Sequence, residues 1–298
     1  MNDYIIGVNL PDSTGLSQLA EVLKRYVTDG FNACEINLST FPMIIGGEIK
    51  PIVVDYVKDI LSRYPLRYTA HAGYGLDLRN LEELEMHRAV LFSSVDVCAT
   101  LGIELLNLHY EVQSQYADRE KAFFDAHREA AEYAMARGVQ LSIENIEVEI
   151  AQKTAAFVRA VNHPNLGMTL DLGHLYLSAK HFGYDYLETV KECAPLLSHL
   201  HINDNTGDFE MMRLTNFDLY KTMDRNYRFA FGRGDIHVPP FWGKAPLKEA
   251  ISIIKAAGYQ GFWLCEYYNH SFVPFNREVQ ERVRREIENA CTSFSLGG

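Results

Sequence analysis

The sequence predicts an α/β fold, a single-domain (β/α)8 barrel of the TIM type, and three observations lead to it. Short apolar stretches that resemble strands alternate with segments of helical periodicity along the 298 residues. Glycine recurs where a helical segment meets the next strand. Six of the strands end in a residue that can bind a metal or move a proton. The alternation implies parallel strands with right-handed crossovers, and eight such units account for a chain of this length.

Eight stretches have the length and apolar content expected of strands buried in a parallel sheet. Their bounds are 4–10, 33–38, 67–72, 104–110, 140–145, 167–172, 197–203 and 262–267. A doubly wound open sheet is the alternative. It is disfavoured because Gly7-Val8-Asn9 does not open the glycine-rich phosphate loop that follows the first strand of many such folds. We therefore expect the strands to close into a barrel.

The helical segments between the strands are clearest at 81–101, 121–137 and 247–257. Glycine after a helix is typical of a left-handed cap, because it lacks a Cβ that would clash. The expected caps are Gly30, Gly102, Gly138 and Gly258. One connection departs from this pattern, because about thirty residues at about 205–235 separate the seventh strand from the next helix. Both a solvated insertion and a lid fit this segment.

The composition excludes several classes of function. Lys and Arg total 28 and Asp and Glu total 39, so the formal charge is −11, which disfavours nonspecific binding to nucleic acid or a membrane surface. The five cysteines form no CxxC pair and predict no disulfide framework. Residues 1–10 do not resemble a signal peptide, and no apolar run is long enough to span a membrane. These features predict a cytoplasmic protein with no membrane partner.

The residues that end six of the strands point to one site. They are His71, His109, Glu144, Asp171, His201 and Glu266. The C-terminal ends of barrel strands converge on one mouth, where the active sites of this fold lie. Strand parity supports this, because Thr169 and Asp171 face one way while Met168 and Leu170 face the other. The polar set is therefore expected to point into the barrel.

Such a set predicts a metal site. Buried carboxylates repel each other, and a divalent cation removes that cost. Histidine and carboxylate ligands without cysteine favour zinc, manganese or iron over calcium. A lone histidine at a strand end is more often satisfied by hydrogen bonds, but six converging residues favour ligation. His174 and the Asp235-Ile236-His237 segment add candidates close in sequence.

Other titratable residues have simpler interpretations. Glu35 ends the second strand with inward parity and could form an ion pair inside the mouth. We expect His199 to be a hydrogen-bonded core residue one layer deeper. The remaining histidines show no supporting pattern and are expected at the surface. They are His87, His127, His163, His181 and His270.

Together these residues resemble the superfamily of xylose isomerase-like barrels, which joins sugar isomerases and epimerases with the endonuclease IV family. The resemblance covers essentially the whole chain. The segments that carry it are TAHAGY (69–74), LHY (108–110), IEN (143–145), LDLGH (170–174), HINDN (201–205), GDIH (234–237) and CEYY (265–268).

The isomerase and epimerase branch implies one divalent metal held by four residues. These are Glu144, Asp171, His201 and Glu266. The resemblance further implies that the two glutamates exchange a proton beside a carbonyl, while the metal stabilises the enediolate. It implies a substrate contact from His174, and we expect further substrate contacts from His71, Glu35 and Tyr74.

The endonuclease IV branch implies nine ligands for three zinc ions and attack of a hydroxide on a phosphodiester. Every ligand position has a matching residue here. They are His71, His109, Glu144, Asp171, His174, His201, Asp235, His237 and Glu266. Tyr74, three residues after His71, also fits this branch.

Departures from the nuclease pattern favour the isomerase branch. The net charge is −11, and residues 37–41 carry no arginine that could enter a DNA groove. CEYY replaces the Glu-Thr-Pro of the nucleases, and LHYE replaces their His-Pro-Gly.

We therefore predict a metal-dependent sugar, sugar-phosphate or polyol isomerase or epimerase, with one to three zinc or manganese ions. An endonuclease IV-like zinc hydrolase, or another metal-dependent hydrolase or lyase, is the alternative. The expected partner is a small carbohydrate and not nucleic acid, and a homo-oligomer stays open.

Overall fold

The computed structural model describes residues 4–292, with side chains through Ala290. The strands are β1 Ile5–Asn9, β2 Ala33–Asn37, β3 Ile44–Ile45, β4 Glu48–Ile49, β5 Arg67–His71, β6 Leu105–His109, β7 Gln140–Glu144, β8 Leu166–Asp171, β9 Leu197–Ile202 and β10 Phe262–Cys265. The helices are α1 Leu19–Asp29, α2 Pro51–Leu61, α3 Leu84–Leu101, α4 Ala117–Met135, α5 Ala151–Val161, α6 Leu172–Phe182, α7 Tyr186–Cys193, α8 Met212–Thr215, α9 Phe217–Thr222, α10 Arg225–Phe231, α11 Leu247–Ala256, α12 Asn269–Phe272 and α13 Asn276–Thr292. Short 3-10 helices occupy Leu16–Gln18, Ala194–Leu196 and Val273–Phe275.

Eight parallel strands close into one barrel, in the order β1, β2, β5, β6, β7, β8, β9, β10 and back to β1. The predicted single-domain (β/α)8 barrel is therefore confirmed, and all eight predicted strands are present. The two remaining strands, β3 and β4, form a small antiparallel hairpin that the sequence patterns did not indicate. Among the described helices, none is long and apolar enough to cross a membrane.

The expected glycine caps are also confirmed. Gly30, Gly102, Gly138 and Gly258 all have positive φ, between 69° and 94°. Gly30 and Gly102 accept this conformation directly after α1 and α3, and each donates its backbone N–H to the last turn of its helix. The short turn then returns the chain to the next barrel strand.

Alternating residues divide the barrel wall into two faces. Leu106, Leu108 and Leu170 are essentially buried and belong to the apolar core. On the inner face, Thr169 Oγ1 lies 2.6 Å from both Asn107 Oδ1 and Ser142 Oγ. The inside of the barrel is thus a hydrogen-bonded polar layer, which supports the side chains above it at the C-terminal mouth.

The segment 205–235, here called the β9 loop, contains the short helices α8, α9 and α10. It is tied to the barrel by side chains that follow other strands. Arg213 Nε lies 2.6 Å from Glu147 Oε1, and Arg228 donates to the Tyr268 hydroxyl at 3.2 Å. These contacts place the β9 loop beside the mouth of the barrel.

Candidate metal centre

The barrel brings the predicted ligands to its C-terminal mouth through the strand register. His109 of β6 stands opposite Glu144 of β7, and Asp171 of β8 stands opposite His201 of β9. Glu266 follows the end of β10 by one residue. Residues 30 to 35 positions apart in the chain therefore become neighbours, because they stand at matching positions of adjacent parallel strands.

The centre of the site consists of Glu144, Asp171, His201 and Glu266, whose ligand atoms all lie within 4.8 Å of one another. His201 Nδ1 lies 3.0 Å from Glu266 Oε2, 3.3 Å from Glu144 Oε1 and 3.8 Å from Asp171 Oδ2. Three carboxylates thus surround one imidazole nitrogen, and all but Glu266 are fully buried. This set can coordinate a single divalent cation.

A second group adjoins the centre through Glu144. His71 Nε2 lies 3.2 Å from Glu144 Oε2, and His109 Nε2 lies 3.6 Å from the same oxygen. The two histidine nitrogens are 3.1 Å apart. Asn107 also donates its amide N–H to Glu144 Oε2. Glu144 can therefore bridge two cation positions, since its two oxygens face different groups.

A third group lies on the opposite side of the centre. His174 Nε2 is 3.2 Å from His237 Nε2 and 3.4 Å from Asp235 Oδ2. His237 Nε2 is 3.0 Å from Asp235 Oδ1. Together with Asp171, the two histidines form a further set that could hold an ion. The structure thus brings together all nine residues of the predicted ligand set.

Backbone carbonyls orient three of the histidines. His71 Nδ1 lies 2.9 Å from the Ala72 carbonyl oxygen, His174 Nδ1 lies 3.0 Å from that of Asn145, and His237 Nδ1 lies 3.1 Å from that of Glu266. A carbonyl only accepts, so each Nδ1 carries the hydrogen in the neutral ring. The lone pair of each Nε2 then faces the site, as metal ligation requires.

The electrostatics reflect crowding of charges. Burial, with the charges of Glu144 and Glu266, raises the pKa of Asp171 to about 6. Burial opposes ionisation of Glu266 as well, but His201 and His237 lower its pKa to about 2. Burial by itself would lower the pKa of His71, but the hydrogen bond and negative charge of Glu144 outweigh burial and raise this pKa to about 9. Without a cation, protons on the histidines balance the carboxylates.

The donor set fits a divalent cation. Glu266 Oε2 and Asp235 Oδ1 are buried atoms to which no described residue donates a hydrogen bond. Buried carboxylate oxygens are rarely left without a partner. Oxygen and imidazole nitrogen donors suit zinc, manganese or magnesium.

His237 adds a sign of function in its backbone. Its φ is 39°, a left-handed value that a residue with a Cβ rarely adopts. Two antiparallel hydrogen bonds between Asp204 and Val238, each of 3.0 Å, hold the backbone next to it. The surrounding structure therefore imposes the conformation that turns this ring toward His174.

Two predicted substrate contacts lie outside the nine-residue ligand set. Glu35 is 2% exposed and lies one residue layer below the mouth, beside Thr69 of β5. The ion pair considered from the sequence is present there, with His199 and His201. Tyr74 is 71% exposed and donates to Asp12 Oδ2 at 2.8 Å on the rim. Substrate contact by either residue stays a prediction.

Of the other histidines, His270 is exposed as expected, His87, His163 and His181 are half-buried, and two lie in the interior. His199 is fully buried one layer deeper, as predicted, although no described residue makes a hydrogen bond to its Nδ1. The surface prediction for His127 is wrong, because this residue is 1% exposed on α4. Its ring packs against Phe123 and Phe157 with centroid distances of 4.1 and 5.3 Å. Phe157 lies 30 residues away in α5, so this neighbour was not visible in the local pattern.

Sequence reasoning missed the asparagines that hold Asp171. Asn203 Nδ2 donates to Asp171 Oδ2 at 2.6 Å, and Asn145 exchanges hydrogen bonds with the Asp171 backbone. A Cβ on Gly173 would lie 1.7 Å from Asn203 Oδ1, so only glycine leaves room for this contact. The IEN, LDLGH and HINDN segments contain these residues, and their asparagines were the available signal.

A closed (β/α)8 barrel with this set of histidines and carboxylates at its C-terminal mouth defines a class of proteins. Comparison with known families identifies that class. A model of the xylose isomerase-like TIM barrel family matches residues 23–290, so the chain belongs to that family. No protein of curated function matches the sequence significantly.

Similar solved structures share the fold over nearly the whole chain. A D-tagatose 3-epimerase-like protein has a TM-score of 0.70 at 17% identity, covering 97% of this chain and 99% of its own. A xylose isomerase-like TIM barrel protein from Mycobacterium smegmatis in complex with magnesium has a TM-score of 0.68 at 17% identity, with 96% and 97% covered. The IOLI protein with a bound zinc atom has a TM-score of 0.68 at 16% identity, with 97% and 98% covered.

Proposed function

We propose that this protein is a divalent-metal-dependent isomerase or epimerase acting on a small sugar or polyol. The observation that carries the proposal is a pair of glutamates that both lie within 3.3 Å of His201 Nδ1, Glu144 fully buried and Glu266 half-buried. Two carboxylates beside one cation position can take a proton from a carbon and return it. The likeness in fold to a D-tagatose 3-epimerase-like protein supports a carbohydrate substrate.

In this proposal the chain's own residues have distinct tasks. Glu144, Asp171, His201 and Glu266 would hold the cation, which when bound would polarise a substrate carbonyl and stabilise the enediolate. One glutamate would remove the proton beside the carbonyl and later release it to solvent, and the other, after taking a proton from solvent, would deliver that proton to the same carbon. The lowered pKa of Glu266 keeps it ionised at neutral pH, as a base requires. His174, at the edge of the site, is the proposed contact for a substrate hydroxyl.

The proposal is tested by exchange of the substrate's carbon-bound proton. We expect protein loaded with manganese or zinc to incorporate deuterium from D2O into D-tagatose or a related ketose, followed by NMR. Glu144→Gln and Glu266→Gln should each abolish exchange while circular dichroism stays unchanged. Glu104→Gln is the matched control, because Glu104 pairs with Arg67 at the opposite end of the barrel. Wild-type exchange in both site variants would overturn the acid–base assignment.

A second candidate is a multi-metal phosphoester hydrolase. The complete His71–His109 and His174–Asp235–His237 groups beside the central ligands favour it, since one cation leaves both unused. Metal analysis of the purified protein separates the candidates. One ion per chain supports isomerisation, whereas two or three ions, with cleavage of bis(4-nitrophenyl) phosphate or abasic duplex DNA, support hydrolysis. The net charge of −11 disfavours the DNA substrate.

A further inference from the structure

Glu35 occupies an unusual position for a charged side chain. It lies on β2, 2% exposed, in the layer beneath the ligands. Its Oε2 accepts a hydrogen bond from Thr69 Oγ1 at 2.8 Å and lies 2.8 Å from His199 Nε2. Its Oε1 lies 3.0 Å from His201 Nε2. Both carboxylate oxygens therefore face groups that can donate hydrogen.

The opposite edge of His201 faces the candidate cation position. Nδ1 lies 3.0 Å from Glu266 Oε2 and 3.3 Å from Glu144 Oε1. A neutral imidazole carries a hydrogen on one ring nitrogen only. To offer its Nδ1 lone pair to a cation, His201 must carry that hydrogen on Nε2. The carboxylate oxygen that the structure places there, 3.0 Å from Nε2, is Glu35 Oε1; the two atoms are in ion-pair contact and are not aligned as a hydrogen bond.

We propose that Glu35 is a positioning residue for the metal centre, acting through His201. Its carboxylate holds His201 in the Nε2–H tautomer and places a negative charge behind the ring, which strengthens the Nδ1 lone pair as a ligand. In this role Glu35 acts through the His201 ring and is not one of the nine predicted ligands. The inference rests on the metal centre of the proposed function, but it holds for any reaction carried out there.

The surroundings of Glu35 explain why a carboxylate is required. Thr69, His199 and His201 converge on its two oxygens, so an amide would turn an NH2 group toward at least one donor. If that donor is His201, the ring is driven toward the Nδ1–H tautomer, which cannot bind the cation. If it is His199 or Thr69, the negative charge behind His201 is still lost.

Metal affinity without any substrate tests this role. Zinc dissociation constants are measured by competition with a chromophoric chelator for wild type, Glu35→Gln and Thr69→Val. Loss of a carboxylate partner of a ligating histidine typically weakens metal binding by about 10–100-fold, and we expect this for Glu35→Gln. Thr69→Val is the matched control, because it removes a donor to Glu35 and leaves the contact with His201. Its affinity should stay within about threefold of wild type.

A second measurement needs no variant and decides the matter if Glu35→Gln does not fold. In zinc-loaded wild-type protein labelled with 15N-histidine, NMR should show His201 with hydrogen on Nε2 and none on Nδ1. Equal zinc affinity of wild type and Glu35→Gln, or an Nδ1–H tautomer, would overturn the proposal. Failure of wild type to bind zinc would overturn the metal centre as well. If Glu35→Gln loses zinc affinity but zinc-loaded wild type turns over no sugar, only the proposed reaction is contradicted.

Discussion

Facing ring nitrogens are the most telling detail at the scale of single residues. His71 Nε2 and His109 Nε2 are 3.1 Å apart, and His174 Nε2 and His237 Nε2 are 3.2 Å apart. Two lone pairs at this distance repel unless a proton or a cation lies between them. Carbonyl oxygens behind three of these rings prevent them from turning away. The residues are therefore arranged around a positive charge, carried either by protons on the rings or by a bound cation.

His127 provides a prediction about pH. Burial lowers its pKa from 6.5 to about 4, although its Nδ1 lies 2.7 Å from the Phe123 carbonyl oxygen. Between pH 6.5 and 4 the His127 imidazole is protonated in the unfolded chain but not in the folded protein. The contribution of His127 to the free energy of unfolding is thus complete above pH 6.5 and is lost on acidification through this window. At about 1.4 kcal/mol per pKa unit, the loss approaches roughly 3 kcal/mol.

The free energy of unfolding is measured by urea denaturation at several pH values, in the presence of a metal chelator. His127→Gln should be less stable than wild type at pH 7 but should show a shallower loss between pH 6.5 and 4. His181→Gln, at a half-buried position of α6, should retain the wild-type slope. A slope for His127→Gln as steep as that of wild type would contradict the assignment.

At the scale of elements, the β9 loop is the part that departs most from a regular barrel. It exposes apolar side chains, with Met211, Phe217 and Phe231 between 47% and 63% exposed. Few core contacts hold such a segment, so specific side-chain contacts determine its position. The pair of Arg213 with Glu147 is one of them, and the Glu147 side chain is only 6% exposed.

Arg213→Gln should therefore loosen the β9 loop without unfolding the barrel. The change leaves Glu147 buried without its cation, which is costly. We expect amide hydrogen exchange at 211–231 to accelerate by about tenfold or more while exchange in the barrel strands is unchanged. Mass spectrometry of peptic fragments measures this. Lys221→Gln on α9 is the control, because its ion pair with Asp218 is solvent-exposed and contributes little. Identical exchange in wild type and Arg213→Gln would show that the pair does not hold the loop.

At the scale of the whole molecule, closure of the barrel concentrates negative charge at one end. Glu144, Asp171, Asp235 and Glu266 converge at the mouth in a chain with a formal charge of −11. A cation that binds only the folded protein stabilises it by mass action, by about 2.7 kcal/mol at a free concentration of 100 times its Kd.

Metal removal should therefore lower thermal stability. For a protein of this size we expect the Tm to fall by about 5 °C between buffered free zinc and excess EDTA, measured by scanning calorimetry. Asp171→Asn, which loses a central ligand, should show a much smaller difference. An equal Tm with zinc and with EDTA would argue against a metal centre in the folded protein.

Local rules were sufficient for much of this molecule. Glycine caps such as Gly30 and Gly102 depend on backbone sterics within one turn, and the inward direction of Asp171 depends on the two-residue period of a strand. Both are properties of short segments, so the strands, the barrel and the convergence of the strand-end residues could be predicted. The family resemblance rested on those same residues.

Other features depend on contacts between distant segments. The burial of His127 by Phe157, the place of Asn203 against Gly173 and the attachment of Arg213 to Glu147 join residues 30 or more positions apart. Glu35 and His201 are 166 positions apart, and only closure of the barrel brings the carboxylate behind the ring. The sequence by itself determined the fold and which residues meet at the mouth, because these follow from local periodicity and strand order. The tertiary structure alone decided which atoms face each other, because register and side-chain packing set those distances.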